Sequence, residues 1–163
     1  MLWYNEDIFA DAGLTPPTTW DELLATCDAL DAEGIIPIAS GNKDLWAAGN
    51  WLAHLTSRVV GEEAYSAALS GEADFNTPDW VEAFGYVEEL ADHNCVNESA
   101  NAVDDNEGAQ LFFQGKAAMH AIGSWLVSRA IDEAPDLNFD YVNLPTMPGE
   151  GNQESVIGVV TGY

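Results

Sequence analysis

The amino-acid sequence predicts a layered α/β domain in which helix outweighs strand. Three short segments have the composition of strands, and each follows a stretch with helical character: "IIPIAS" (35–40), "KAAMHAI" (116–122) and "NFDYVNL" (138–144). Strands that alternate with helices are typical of layered α/β folds. Because 163 residues suffice for one substantial core, we expect a single domain over residues 1–163.

Two helices are predicted before the first of these strands. Asn5 can cap a short helix that ends at Gly13. Thr19 and Glu22 have the spacing of a capping box, and the apolar residues that follow recur at helical spacing, which predicts a second helix over 20–32. The predicted order of elements at this end of the chain is therefore helix, helix, strand.

The two cysteines, Cys27 and Cys95, have neither the spacing of a CxxC redox motif nor that of a metal site. Cys27 falls on the apolar face of the predicted helix over 20–32, so a role in core packing is expected. A disulfide between the two cysteines is the alternative.

Further helices are predicted in the rest of the chain. Residues 45–60 carry apolar residues nearly all round and no Asp or Glu, which predicts a helix buried on several sides. The other predicted helices cover 62–70, a segment with Thr77 as N-cap and Pro78 at its first position, 104–115, and a segment from a Ser124 cap to about Glu133. A polar Gly/Pro loop over 146–154 and a strand-like segment over 155–163 follow.

The charge of the chain excludes several classes of partner. There are 28 acidic residues against 4 basic ones, a formal net charge of −24. Such a chain repels nucleic-acid phosphates and anionic membrane surfaces, so neither is an expected partner. The acidic residues are spread along the sequence, which predicts an acidic surface of the kind found in halophilic proteins. Cation binding is the alternative, although no Asp-rich loop has EF-hand spacing.

No segment of this chain has the pattern of a membrane span or of a leader peptide. No run approaches the roughly 18 apolar residues that a span requires. Residues 1–20 lack a basic region followed by an apolar one.

Enzyme chemistry has little support in the sequence. The motifs GxSxG, HExxH, GxGxxG and the P-loop are absent. His54, His93 and His120 are scattered, and each is expected to be a packed or surface residue. With 28 acidic residues, carboxylate pairs arise by chance. We therefore predict no catalytic residue, no metal site and no cofactor.

Two segments after predicted strands combine Gly, polar groups and a Trp: "GNKDLW" (41–46) and "GSW" (123–125). Ligands of α/β folds bind beyond the carboxyl ends of strands. A Trp ring against the apolar face of a pyranose, framed by hydrogen-bonding groups, is a sound platform for a sugar. The alternative is that Trp46 and Trp125 simply cap the core.

Five segments, taken in order, resemble the second lobe of extracytoplasmic solute-binding proteins of ABC importers, in the carbohydrate-binding family that includes maltose-binding protein. They are "LWYNEDIFADAGLTPPTTWDELL" (2–24), "GIIPIASG" (34–41), "FFQGKAAMHAIGSW" (112–125), "YVNLPTMPGEG" (141–151) and "IGVVTG" (157–162). The resemblance implies a bilobed α/β receptor outside the cytoplasm. Such a receptor closes on a sugar in the cleft between its lobes and delivers it to a membrane permease.

The resemblance also implies which residues contact the sugar. The two aromatic ones are Trp46 and Trp125, and the neighbouring or weaker candidates are Asn42, Lys43, Asp44, Gly123, Ser124 and Tyr163. The chain departs from the family's pattern because the first lobe and the closing C-terminal helices are missing, so we expect a fragment that binds weakly alone. Two other interpretations remain: a carbohydrate-active enzyme domain, and a helical protein-interaction module with a large exposed apolar patch.

Overall fold

The computed structural model describes residues 1–149 and 151–154, and it confirms the predicted α/β class. Within this part of the chain, one sheet has the strand order β2-β3-β1-β4. Its strands are β1 (Leu2–Asn5), β2 (Ile36–Ala39), β3 (Ala117–Ala121) and β4 (Phe139–Val142). Strand β2 runs parallel to β3, whereas β1 runs antiparallel to both β3 and β4.

Seven helices lie in the described part of the chain. They are α1 (Glu6–Asp11), α2 (Trp20–Ala32), α3 (Trp46–Val60), α4 (Glu62–Ser70), α5 (Pro78–Asp92), α6 (Asp105–Phe113) and α7 (Leu126–Glu133). The predicted capping box of α2 is present, and the Asn5 side chain accepts a hydrogen bond from the Ile8 N–H at 3.0 Å. The cap predicted for α7 is wrong, because Trp125 and not Ser124 occupies that position.

Strand β1 is the main departure from the predicted order of elements. Leu2 lies opposite Ala121 on one side and Val142 on the other, so β1 is a central strand of the sheet. Four residues show too little periodicity to reveal a strand, and the partners of β1 lie near the other end of the chain. The predicted order of helix, helix, strand is therefore preceded by a strand that the local pattern did not indicate.

Helices cover both faces of the sheet. On one face, Leu2 and Ile38 pack in an apolar cluster with residues from α1, α2, α3 and α5. On the other face, Trp3 packs with Phe112, Leu126 and other residues of α6 and α7. The result is a three-layer α/β/α arrangement.

A disulfide joins Cys27 of α2 to Cys95, which follows α5. Both residues are fully buried. The expectation that Cys27 is a core thiol is wrong in its chemistry, although its buried position is as predicted. The two cysteines are 68 residues apart in the sequence. A disulfide typically contributes about 2–4 kcal/mol to stability, since it restricts the unfolded chain.

Helix α3 has an exposed first turn and buries core residues in its later turns. Its later turns bury Trp51, Leu55 and Val59 as predicted, whereas Trp46 in its first turn is exposed. The buried Arg58 donates from Nη1 to the carbonyl oxygens of Leu144 at 2.8 Å and Pro145 at 2.6 Å. This contact fixes the end of α3 to the segment that follows β4.

Candidate functional site

The two predicted ligand segments meet at one edge of the sheet. Because β2 and β3 are parallel neighbours, with Ala39 opposite His120, their carboxyl ends lie side by side. The segment 41–46 follows β2, and the segment 123–125 follows β3. The carboxyl edge of parallel strands is where α/β folds bind ligands.

Trp46 and Trp125 form an open pair of indoles at this edge, which we call the Trp pair. Their ring centroids are 6.3 Å apart and their planes are inclined by 51°. Exposed fractions of 37% for Trp46 and 48% for Trp125 leave ring surface accessible from outside the domain. The alternative that both residues cap the core is therefore not what the structure shows.

The backbone at Gly123 allows Trp125 to adopt this position. A Cβ atom at Gly123 would overlap the six-membered ring of Trp125, so only glycine lets the ring lie over the chain at this point. The Gly123 and Ser124 carbonyls accept from the N–H groups of Leu126 and Val127, both at 3.2 Å. Ser124 itself is exposed beside the ring.

Asn42 holds the segment before Trp46 in place. Its Oδ1 accepts from the Ala48 N–H at 3.0 Å, which caps the first turn of α3, and its Nδ2 donates to Asn101 Oδ1 at 2.8 Å. Lys43 and Asp44 have exposed side chains at the same edge. Asn42 therefore acts as a positioning residue in this structure, while Lys43 and Asp44 are free to reach into the solvent.

A small pocket beside Trp125 contains residues that the sequence analysis did not select. It has a volume of about 90 Å³ and lies between α3 and the carboxyl end of β3. Asn50 and His54 line it on the side of α3, and Met1 and Leu144 also line it. One pattern could have found Asn50 and His54: they follow Trp46 at intervals of four residues, which places all three on one side of a helix.

The environment of His54 keeps its imidazole neutral. Burial lowers the pKa of His54 to about 4, and the positive charge of Arg58 acts in the same direction. Its Nδ1 atom is buried and has no hydrogen-bond partner in the described ranges. An unpaired buried polar atom is unusual in proteins and calls for an explanation.

The other two histidines have structural surroundings. His120 is buried in β3, where its Nδ1 donates to the Ala39 carbonyl at 2.9 Å, and burial lowers its pKa to about 4. His93 lies 2.8 Å from an Asp28 oxygen and links α5 to α2. Both positions agree with the expectation of packed or surface histidines.

Three further sequence-based expectations concern Tyr163, metal ions and membrane spans. The candidate Tyr163 lies outside the described residues. Among residues 1–149 and 151–154, no group of three His, Cys, Asp or Glu side chains is arranged to hold a metal ion. None of the helices in these ranges is long and apolar enough to cross a membrane.

Related sequences are found among receptors of ABC transporters. A family model for bacterial extracellular solute-binding proteins matches residues 1–163. The chain is 27% identical, over 91% of its length and 34% of the relative's, to an uncharacterized ABC transporter extracellular-binding protein of Pyrococcus horikoshii. It is 31% identical to a probable sugar-binding periplasmic protein of Brucella suis, over 86% of this chain and 33% of that protein. The chain thus spans about a third of the length of these curated relatives.

Solved structures share the fold. A structure from a study of xylan utilization by the thermophilic bacterium Caldanaerobius polysaccharolyticus aligns with a TM-score of 0.85 at 25% identity, over 93% of this chain and 40% of that one. A chitin oligosaccharide binding protein aligns with a TM-score of 0.83 at 23% identity, over 91% of this chain and 38% of that one. The architecture described above therefore corresponds to part of a larger protein in each case.

Proposed function

Because the chain belongs to the family of bacterial extracellular solute-binding proteins, we propose that it is the second lobe of the sugar receptor of an ABC importer. The receptor closes on a sugar or oligosaccharide between its two lobes and delivers it to the permease. This proposal assigns no catalytic residue and no cofactor to the chain. Two facts support it: the chain spans about a third of its relatives' length, and one of these relatives is named a probable sugar-binding periplasmic protein.

The Trp pair is the observation that carries the proposal. Two half-exposed indoles at the carboxyl edge of a sheet offer flat apolar surfaces, and the C–H face of a pyranose stacks well on such a surface. Gly123 and Ser124 directly precede Trp125, and the exposed Lys43 and Asp44 precede Trp46 by three and two residues, so we assign to them the orientation of sugar hydroxyls. We assign stacking to Trp125 and Trp46, and positioning of the loop to Asn42.

The disulfide supports a location outside the cytoplasm. Stable disulfides form in oxidising compartments such as the periplasm or the cell exterior, and they are rare in the cytosol. Cys27 and Cys95 are paired in the interior of the domain. We propose a periplasmic or surface-tethered receptor whose acidic surface suits a saline environment.

A fluorescence titration tests the proposed function. The protein used joins this chain to the first lobe, since one lobe supplies only half of a cleft. Monosaccharides and oligosaccharides are added while tryptophan emission is recorded, and we expect saturable quenching with at least one sugar. Trp125→Ala should weaken that binding at least tenfold, whereas Phe84→Ala, at a similarly exposed aromatic on α5, should leave it unchanged. Equal binding by both variants would contradict the stacking role.

A second function, protein interaction, is favoured by exposed apolar side chains on α4, on α5 and on the segment between them. The large apolar side chains exposed there are Leu69, Phe75, Val81 and Phe84. Exposed apolar patches mark protein contacts in many proteins. Sedimentation of the two-lobed protein and of its Phe84→Ser variant distinguishes the functions: concentration-dependent association that the variant loses would support an interaction module.

A further inference from the structure

A pocket lies directly beside the ring of Trp125. Its walls come from α3 on one side and from Ala121, Ile122 and Gly123 at the end of β3 on the other, and Met1 and Leu144 complete the lining. Trp125 itself forms part of the wall, so any sugar ring stacked on Trp125 lies next to the pocket's opening. The position makes the pocket a neighbour of the proposed stacking surface and not a separate site.

The size of the pocket limits what it can hold. A volume of about 90 Å³ is room for a few water molecules. A pyranose ring is larger than this space. One substituent of such a ring, a hydroxyl or a hydroxymethyl group, can enter it together with a water molecule.

The polar groups in the pocket match a hydroxyl. Asn50 offers a carboxamide, which both donates and accepts hydrogen bonds. The neutral imidazole of His54, which also lines the pocket, offers one donor and one acceptor nitrogen. A hydroxyl group is itself both donor and acceptor, so it can pair with either tautomer of His54.

We propose that Asn50 and His54 form a subsite for the hydroxymethyl group of a hexose stacked on Trp125. This inference rests on the proposed function and adds a substrate class to it. The apolar wall from Ile122 contacts the methylene carbon, and the two polar side chains bind the hydroxyl. A pentose in the same position leaves the pocket to water, so the subsite makes the receptor prefer hexose units to pentose units.

Matched sugar pairs test this preference by isothermal titration of the two-lobed protein. The pairs are glucose and xylose, cellobiose and xylobiose, and galactose and L-arabinose, and the members of each pair differ in the hydroxymethyl group on each ring. We expect the hexose member to bind at least about tenfold more tightly, as one well-made hydrogen-bonded contact provides. Asn50→Leu and His54→Phe should each reduce this ratio below about threefold by weakening hexose binding alone.

Two control variants separate the pocket from general effects. Asn106→Leu and His93→Phe change the same residue types outside the pocket, and they should keep the wild-type ratio. Thermal melting of every variant checks that it is folded, and Asn50→Leu, at a half-buried position near the start of α3, provides the test if His54→Phe is unstable.

The outcomes distinguish the two proposals. Sugar binding without preference for the hexose member, or a preference that Asn50→Leu and His54→Phe both retain, overturns the subsite and leaves the proposed function intact. Failure of all six sugars to bind overturns the subsite, and the fluorescence titration with the wider set of sugars decides the proposed function separately.

Discussion

Two aromatic clusters of this domain differ in what surrounds them. The Trp pair, Trp46 and Trp125, stands at the edge of the sheet with both rings partly open to solvent. Trp80 on α5 is only 4% exposed, with the rings of Phe75 and Tyr65 at centroid distances of 4.8 and 6.0 Å. Phe84 is a third ring beside Trp80. Trp80 has its partners within the protein, whereas the Trp pair leaves ring faces for a partner from outside.

The difference teaches that placement, more than aromatic content, indicates the ligand site. Trp80 lies on the apolar side of an amphipathic helix, as a core residue does. Trp46 and Trp125 each stand at the start of a helix that follows a strand of the parallel pair, where α/β folds bind ligands.

Removal of Trp80 should produce the largest effect, and it should fall on stability. Truncation of a buried aromatic ring to Ala loses transfer free energy and leaves a cavity, at a cost of about 3–5 kcal/mol. We expect Trp80→Ala to lower the free energy of unfolding in urea by that amount, while Trp125→Ala changes it by less than about 1 kcal/mol. Equal losses in the two variants would mean that Trp125 is a core residue.

A lower pH should produce the second largest effect, a loss of stability that depends on the buried His120. His120 has a folded-state pKa of about 4 against an ordinary value of 6.5, so between these values the unfolded chain binds a proton that the folded chain does not. His120 therefore contributes a fall in stability of about 2 kcal/mol between pH 7 and pH 5, and His54, whose pKa is also about 4, adds a fall of its own. Urea unfolding at both pH values checks this, because His120→Gln should show a correspondingly smaller difference. An identical difference in both proteins would contradict the assignment.

Gly123→Ala should cause a moderate loss of sugar binding, because it changes the backbone next to the Trp pair. The added methyl group meets the Trp125 ring and displaces it, so sugar affinity should fall about tenfold, or about 1.4 kcal/mol. Gly85→Ala on α5 is the matched control, since a Cβ there meets no atom within 4 Å. Fluorescence titration compares the two variants, and unchanged affinity in Gly123→Ala would show that the position of the ring does not matter.

Salt should produce the smallest effect on stability, and this effect should not depend on any one residue. Exposed acidic groups repel one another at low ionic strength, and salt screens this repulsion over the whole surface. We expect the thermal midpoint to rise from low to molar salt, by similar amounts in the wild type and in Trp125→Ala. A flat response would contradict the adaptation to salt that the net charge of −24 indicates.

Local patterns in the sequence were enough to predict most of the helices. The capping box at Thr19 and Glu22 places the start of α2, because the residues that make a cap lie within one turn of each other. Strand β1 and the bridge between Cys27 and Cys95 depend on contacts between distant segments. No local pattern encodes such pairing, so the sequence left the disulfide as an alternative and omitted the strand.

The candidate site shows the same division. Trp46 and Trp125 were selected because each follows a predicted strand, and the parallel pairing of β2 and β3 brings them together. Their contact with a sugar stays a prediction, as do the roles of Lys43, Asp44 and Ser124. Asn50 and His54 were missed because the pocket they line exists only after α3 has packed against the end of β3.

The most direct test of the central claim follows the six tryptophan indole N–H signals by NMR during a sugar titration of the two-lobed protein. Each signal within this lobe is assigned by replacing one Trp at a time. The account predicts that the Trp46 and Trp125 signals shift with the sugar concentration, while the Trp80 signal stays in place. A shift of the Trp80 signal without a shift at Trp46 and Trp125 would contradict it.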